Sequence, residues 1–428
     1  MDTIFALASA RGKAGLAVIR LSGPRAHEVT QAMVGDLPSL RQVSLRSIRR
    51  STGELLDSGL VVVYAAGASF TGEDVVELMV HGSIATVSAV ETCLAEDHKL
   101  RLASPGEFTR RALENGVLDL SQVEGLSDLL EAETESQRRQ ALRVLEGAIG
   151  KLVETWRVHL VKAAALVEVS IDFVEEDIGN FDEQIRIELE SVLKDLSNEI
   201  EGQGARERVQ SGFEIALVGS VNAGKSTLLN ALAGREAAIT SELAGTTRDV
   251  IEVRMEIGGY AVTILDTAGL RATTEEIESI GIARGQARAE SADIRIILCD
   301  GPDMLPPVDS RPGDIIRFGK ADLYPQNKGG ISGLTGAGVE ELLAEIAHQL
   351  GGRMAKDGVT VRRRHLQAML AAKVSLEEAI EKLRSEEYIA ELVAADIREA
   401  INALDSLIGK VDVEDLLGDI FASFCIGK

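Results

Sequence analysis

Residues Gly219-Ser220-Val221-Asn222-Ala223-Gly224-Lys225-Ser226 combine two glycines, a lysine and a hydroxyl at a spacing suited to binding phosphate. Glycines let backbone N–H groups turn toward an anion, the lysine neutralises phosphate charge, and the serine hydroxyl ligates a divalent cation. The elements that must position them follow from the flanks. The apolar run Phe213-Glu214-Ile215-Ala216-Leu217-Val218 predicts a buried strand, and Thr227-Leu228-Leu229-Asn230-Ala231-Leu232 predicts a helix. The N-terminus of that helix points unpaired N–H groups at the anion. Ala223, Gly224, Lys225, Ser226 and Thr227 are therefore expected to cradle phosphates, with Mg2+ on Ser226. A chance glycine turn would lack the flanking strand and helix.

Two further segments follow in the order a nucleotide hydrolase needs. Ile264-Leu265-Asp266-Thr267-Ala268-Gly269 predicts a strand ending in Asp-x-x-Gly. Asp266 would hold the Mg2+ shell through water, and the Gly269 N–H would face the terminal phosphate. Between them, Gly245-Thr246-Thr247-Arg248-Asp249 offers threonine hydroxyls that reach Mg2+ only when the γ-phosphate orders the loop. Alone, that turn reads as an ordinary loop; bracketed by the other two motifs, it reads as a switch. Lys225, Thr247 and Asp266 are thus the expected catalytic set.

The strand Ile315-Ile316-Arg317-Phe318 leads into Gly319-Lys320-Ala321-Asp322, close to the guanine-reading pattern Asn-Lys-x-Asp but without its asparagine. The Asp322 carboxylate accepts from guanine N1–H and its exocyclic amine, an acceptor that adenine would leave unpaired. Lys320 is expected over the base plane, and Ser332-Gly333-Leu334 takes the place of the last base-contacting loop. Gly319 removes a side chain that normally braces this loop, so weakened affinity for GTP is expected, without loss of specificity. Leu270 follows Asp-x-x-Gly where a water-orienting glutamine is usual, so another group must complete hydrolysis. The Asn222 amide oxygen is placed to hold a monovalent cation against the phosphates.

These motifs together, with Asp-Thr-Ala-Gly-Leu-Arg from Asp266, resemble the potassium-activated GTPases. The chain's end, Phe424-Cys425-Ile426-Gly427-Lys428, resembles the C-terminus of the tRNA modification GTPase family MnmE (TrmE). Ile19-Arg20-Leu21-Ser22-Gly23, Phe70-Thr71-Gly72-Glu73-Asp74-Val75, Pro105-Gly106-Glu107-Phe108-Thr109 and Asp119-Leu120-Ser121-Gln122-Val123-Glu124 continue the resemblance. It implies work with an FAD-dependent MnmG-type partner on C5 of the wobble uridine, position 34, of certain tRNAs. It also implies a tetrahydrofolate one-carbon donor (5-formyl- or methylene-) and a homodimer formed through the N-terminal domain. By the same resemblance, Asn222, Ser241, Leu243 and Thr246 would hold K+, while Ser226 and Thr247 would hold Mg2+. Glu278 would orient the attacking water. Arg20, Glu77 and Lys428 would contact the folate, with Val117 standing where the family carries a lysine. Cys425 would take part in the chemistry.

The formal charge of −23 over 428 residues marks a strongly acidic protein. Such a surface repels phosphate backbones, so tRNA is expected to be contacted mainly through the partner. The basic clusters at 46–50 and 362–365 read as solvated faces. Three widely spaced cysteines argue for a reducing compartment and against a disulfide framework or a zinc site. No apolar run reaches membrane-spanning length, and the start Met1-Asp2 lacks a secretory pattern, so a cytoplasmic protein without membrane attachment is expected.

The expected architecture is multidomain. An α+β folate-binding domain over 1–118, with one helix near Ile84 to Ala95, precedes a helical domain whose parts, 119–210 and 353–428, flank an inserted α/β P-loop GTPase domain at 211–352. The apolar spacing of Leu142, Leu145, Ile149, Leu152, Trp156 and Leu160 predicts one long helix continuing to Ile171. Gly202–Gly204 reads as a linker, and two further apolar stripes run through Leu366, Met369 and Leu370 and through Ile389, Leu392, Ile397, Ile401 and Leu404. Two other classes compete, a ribosome-assembly GTPase switch and a scaffold-type GTPase. Neither accounts for the 1–118 segment.

Overall fold

The computed structural model describes residues 2–172, 181–220, 222–234, 252–266, 290–306, 308–353, 358–385, 389–410, 421, 424 and 427. They form two compact units, one of 1–127, 145–153 and 405–428, the other of 128–144 and 154–404.

The first unit is built on a six-stranded sheet of β1 (Ile4–Leu7), β2 (Ala14–Ser22), β3 (Ser44–Arg49), β4 (Leu55–Tyr64), β5 (Val75–Gly82) and β6 (Arg101–Leu102), in the order β3-β4-β5-β2-β1-β6. All pairings are antiparallel except β1 with β6. Side chains alternate between faces, which gives the sheet two apolar layers. Phe5, Leu7, Ile19, Leu21, Val76 and Leu78 belong to one core. Helices α1 (Ala26–Val34) and α2 (Ile84–Thr92) add Val29, Met33 and Val90 to it. Ile4 and Ala6 join Phe108, from α3 (Glu107–Glu114), in a second core. The α+β reading holds, but with three helices where the sequence indicated one.

In the remaining helical segments, α4 (Leu120–Glu131) and α5 (Glu135–Leu145) precede α6 (Ala148–Asp172). The single long helix expected from Leu142 onward is therefore broken. Gly147 adopts φ +81°, a left-handed turn that glycine tolerates and that ends α5. The Gly202–Gly204 linker is likewise corrected: α7 (Asp182–Ser211) runs straight through both glycines, anchored by buried Ile185, Leu189, Val192 and Leu196. Packing has overridden two unfavourable local propensities there.

After α7, β7 (Phe213–Gly219), α8 (Lys225–Ala233), β8 (Glu252–Ile257), β9 (Tyr260–Asp266), β10 (Ile294–Cys299), β11 (Ile315–Phe318) and α9 (Val339–Arg353) make the α/β segment. Its sheet order is β11-β10-β7-β9-β8, parallel except for the β8–β9 hairpin. Phe213, Ile215 and Leu217 of β7 are buried against Leu228 and Leu232 of α8. Two further helices, α10 (Arg363–Leu383) and α11 (Ala390–Asp405), follow. Along their stripes Met369, Ile397 and Leu404 are buried, whereas Leu370, Ile389 and Leu392 are exposed. α10 packs along α7. Among the described residues, no helix is long and apolar enough to cross a membrane.

Candidate functional site

Strand β7 is the middle strand of its sheet, and the chain order reverses there: β8 and β9 lie to one side, β10 and β11 to the other. Ligands of open α/β sheets bind in the crevice at such a switch point, beyond the carboxyl ends of the strands. A cavity of about 770 Å³ opens there, lined by residues 222–228, Gly319, Lys320, Asp322 and 331–334. Gly224, at φ +96°, turns the chain into α8, and Asn222 takes the left-handed region at φ +68°. Asparagine is among the few non-glycine residues that enter this region readily.

Lys225 is 6% exposed, and its Nζ donates to the carbonyls of Gly219 (2.7 Å) and Ser220 (2.8 Å). A buried ammonium held over the loop's own carbonyls is positioned to exchange them for phosphate oxygens. Ser226 Oγ donates to Asp266 Oδ2 at 2.9 Å. Hydroxyl and carboxylate are hard oxygen donors, and the pair fits the shell of Mg2+.

The base-reading side is equally ordered. Ser332 Oγ donates to Asp322 Oδ1 at 2.5 Å, which fixes the carboxylate. Lys320, at φ +58°, forms a 2.8 Å ion pair with Asp300. Asp300 escaped the sequence reading. Its signal was the strand-end rule, because it directly follows β10 as Gly319 follows β11.

The structure thus brings Asn222, Ala223, Gly224, Lys225, Ser226, Thr227, Lys320, Asp322 and Ser332 to one cavity, with Asp266 tied to it through Ser226. Ser241, Leu243, Thr246, Thr247, Gly269, Leu270, Glu278, Cys425 and Lys428 lie outside the described residues.

In the first unit, Arg20 and Glu77 are cross-strand partners in the β2–β5 register. Arg20 Nη2 and Nε donate to Glu77 Oε1 at 2.7 and 3.0 Å. The guanidinium carbon also stands 5.3 Å from the Phe70 ring centroid and 5.7 Å from that of Phe108. Sequence reasoning quoted both phenylalanines only as motif residues. Val117 is 41% exposed, and a β-carbon on Gly72 would lie 3.0 Å from its Cγ2, so it borders the loop that carries Phe70.

Neither basic cluster is unpartnered. Arg50 pairs with Asp97 and Arg362 with Asp128, while His365 is buried. Cys93 and Cys299 are buried; burial, with Asp97 adding to it, pushes the Cys93 thiol up to about 11, and burial raises Cys299. Both behave as inert core thiols.

The GTP-binding protein TrmE N-terminus family matches residues 3–117, and the MnmE helical domain family matches 120–425. The chain belongs to the MnmE family. A tRNA modification GTPase MnmE of Cereibacter sphaeroides is 55% identical, with all of both chains covered. The MnmE of Roseobacter denitrificans is 52% identical, again over the whole of each chain. Among solved structures, the G domain of the T. maritima FeoB iron transporter is 23% identical, covering 32% of this chain and 98% of its own, with a TM-score of 0.22. The MnmE resemblance drawn from the sequence motifs is borne out.

Proposed function

We propose that this chain is a potassium-stimulated GTP hydrolase whose turnover drives modification of C5 of the wobble uridine, position 34, of certain tRNAs. The observation that carries this reading is the Lys225, Ser226 and Asp266 constellation, set within a chain similar from end to end to tRNA modification GTPases. Asp322, steadied by Ser332, accepts the guanine N1–H and amine. Lys225 exchanges the Gly219 and Ser220 carbonyls for β- and γ-phosphate oxygens. Ser226, Asp266 and Thr247 would hold Mg2+, whose charge offsets that developing on the phosphate oxygens. Asn222, with Ser241, Leu243 and Thr246, would hold K+, and Glu278 would position the water.

The Arg20–Glu77 pair beside Phe70 and Phe108 offers a charged edge and an aromatic wall. That chemistry suits the flat pterin and anionic tail of a tetrahydrofolate one-carbon donor. Val117, Cys425 and Lys428 complete the reading. The chain would act in the cytoplasm as a homodimer through its N-terminal domain, with an FAD-dependent MnmG-type partner that supplies most tRNA phosphate contacts. We read the domain limits as 1–118, 119–210, 211–352 and 353–428.

Mass spectrometry of tRNA nucleosides from cells lacking this gene tests the reading. The wild-type chain restores the modified wobble uridine and Lys225→Ala does not. Restoration by Lys225→Ala equal to wild type would contradict a role for GTP turnover.

A further inference from the structure

The base-reading loops depart from the usual pattern at Gly319, where asparagine is expected, and the last loop reads Ser332-Gly333-Leu334. At both glycines, backbone of the phosphate loop or of the first turn of α8 occupies the space a side chain would need. A β-carbon on Gly319 would lie 1.9 Å from the Ala223 carbonyl oxygen. One on Gly333 would lie 2.6 Å from the Thr227 carbonyl and the Leu228 nitrogen. These are backbone atoms, so no rotamer change relieves the overlap. Gly319 is absent from the residues with positive φ, so its requirement is steric and not conformational. Its N–H is held by the Cys299 carbonyl at 2.9 Å, which pins the loop to the end of β10. Lys320, next in sequence, is kept in its left-handed conformation beside Asp300.

We propose that Gly319 is a positioning residue for guanine-nucleotide binding: it admits the Ala223 carbonyl, so the phosphate loop itself braces the base-reading loop, while Asp300 fixes Lys320. This rests on the nucleotide reading above. It reverses the expectation that Gly319 leaves the loop unbraced, and it assigns Gly333 the same role against the first turn of α8. Restoring the asparagine therefore harms the site instead of repairing it.

Equilibrium titration of the full chain with mant-GDP, beside steady-state GTP turnover, tests the assignment. Gly319→Asn is expected to weaken mant-GDP binding about tenfold or more. It should raise KM for GTP correspondingly while kcat at saturation stays within about twofold. Binding by Gly319→Asn as tight as wild type, or tighter, would overturn the assignment. Should that variant fail to fold, isosteric Asp300→Asn carries the test. Faster mant-GDP release with an unchanged unfolding midpoint of the nucleotide-free protein is the expected result, and unchanged release overturns the proposal. Failure of the unmodified chain to bind mant-GDP would instead refute the nucleotide reading, and the assignment with it.

Discussion

Ser226 and Asp266 meet across two elements: the hydroxyl in the first turn of α8 donates to the carboxylate that ends β9, over 2.9 Å. A contact between the end of one strand and the helix after another gives the crevice two adjacent oxygen donors before any ligand arrives. Preorganisation of this kind lets a cation bind without first ordering its own ligands.

Removing one donor should therefore change cation dependence as well as rate. Ser226→Ala is expected to lower GTP turnover about 10- to 100-fold and to raise the Mg2+ concentration needed for half-maximal rate. Titrating turnover with MgCl2 reads both effects. An unchanged Mg2+ midpoint would remove Ser226 from the cation shell.

Arg20→Ala takes away the cation paired with Glu77, along with the side chain placed near Phe70 and Phe108. Loss of 5-formyltetrahydrofolate binding is expected by isothermal calorimetry. Leaving the partly buried Glu77 carboxylate without Arg20 should cost about 1–3 kcal/mol of stability. Folate affinity equal to wild type would dismiss the pair as a folate contact.

Acid should weaken the first unit through the Arg101 cluster. The hydrogen bond from Arg101 holds Asp2 at about 2, below its ordinary 3.8. Glu107 also lies near 2 against 4.5: burial pushes it up, but hydrogen bonds from Arg101, Ser104 and Arg111 outweigh that. Both folded values fall below the unfolded ones. Their stabilisation is complete above about pH 4.5 and disappears as pH falls toward 2. Thermal melts of wild type and Arg101→Gln should differ most near neutrality, and the gap should narrow as the pH falls toward 2. A gap that widens in acid would contradict this assignment.

Gly204 lies exposed within α7, and a β-carbon there meets nothing within 4 Å. Gly204→Ala should stabilise the protein by about 0.5–1 kcal/mol, read as a higher unfolding midpoint. A flexible linker at this position would show no such gain.

The sequence made the phosphate loop legible because its chemistry needs fixed residue types at fixed spacing, with an apolar strand before it and a helix after it. Asp322 and Ser332 were legible for the same reason. Asp300 and the Ala223–Gly319 approach were not, since they depend on which strand ends lie side by side, and that follows from sheet order. Helix limits failed where glycine is ambiguous. Gly147 ends a helix, whereas Gly202 and Gly204 lie inside one. Local propensity is similar at all three, and only packing along α7 separates them. Arg20 and Glu77 were singled out by the family resemblance as folate contacts, but their pairing across β2 and β5 and their aromatic surroundings emerged only from the fold.

The most direct test is steady-state GTP hydrolysis by the purified chain in KCl against NaCl at equal ionic strength, with Asn222→Ala alongside. Strong stimulation by K+ that vanishes in Asn222→Ala is the predicted result. Equal, slow turnover in both salts, or stimulation that survives the substitution, would contradict a hydrolase that recruits K+ through its phosphate loop.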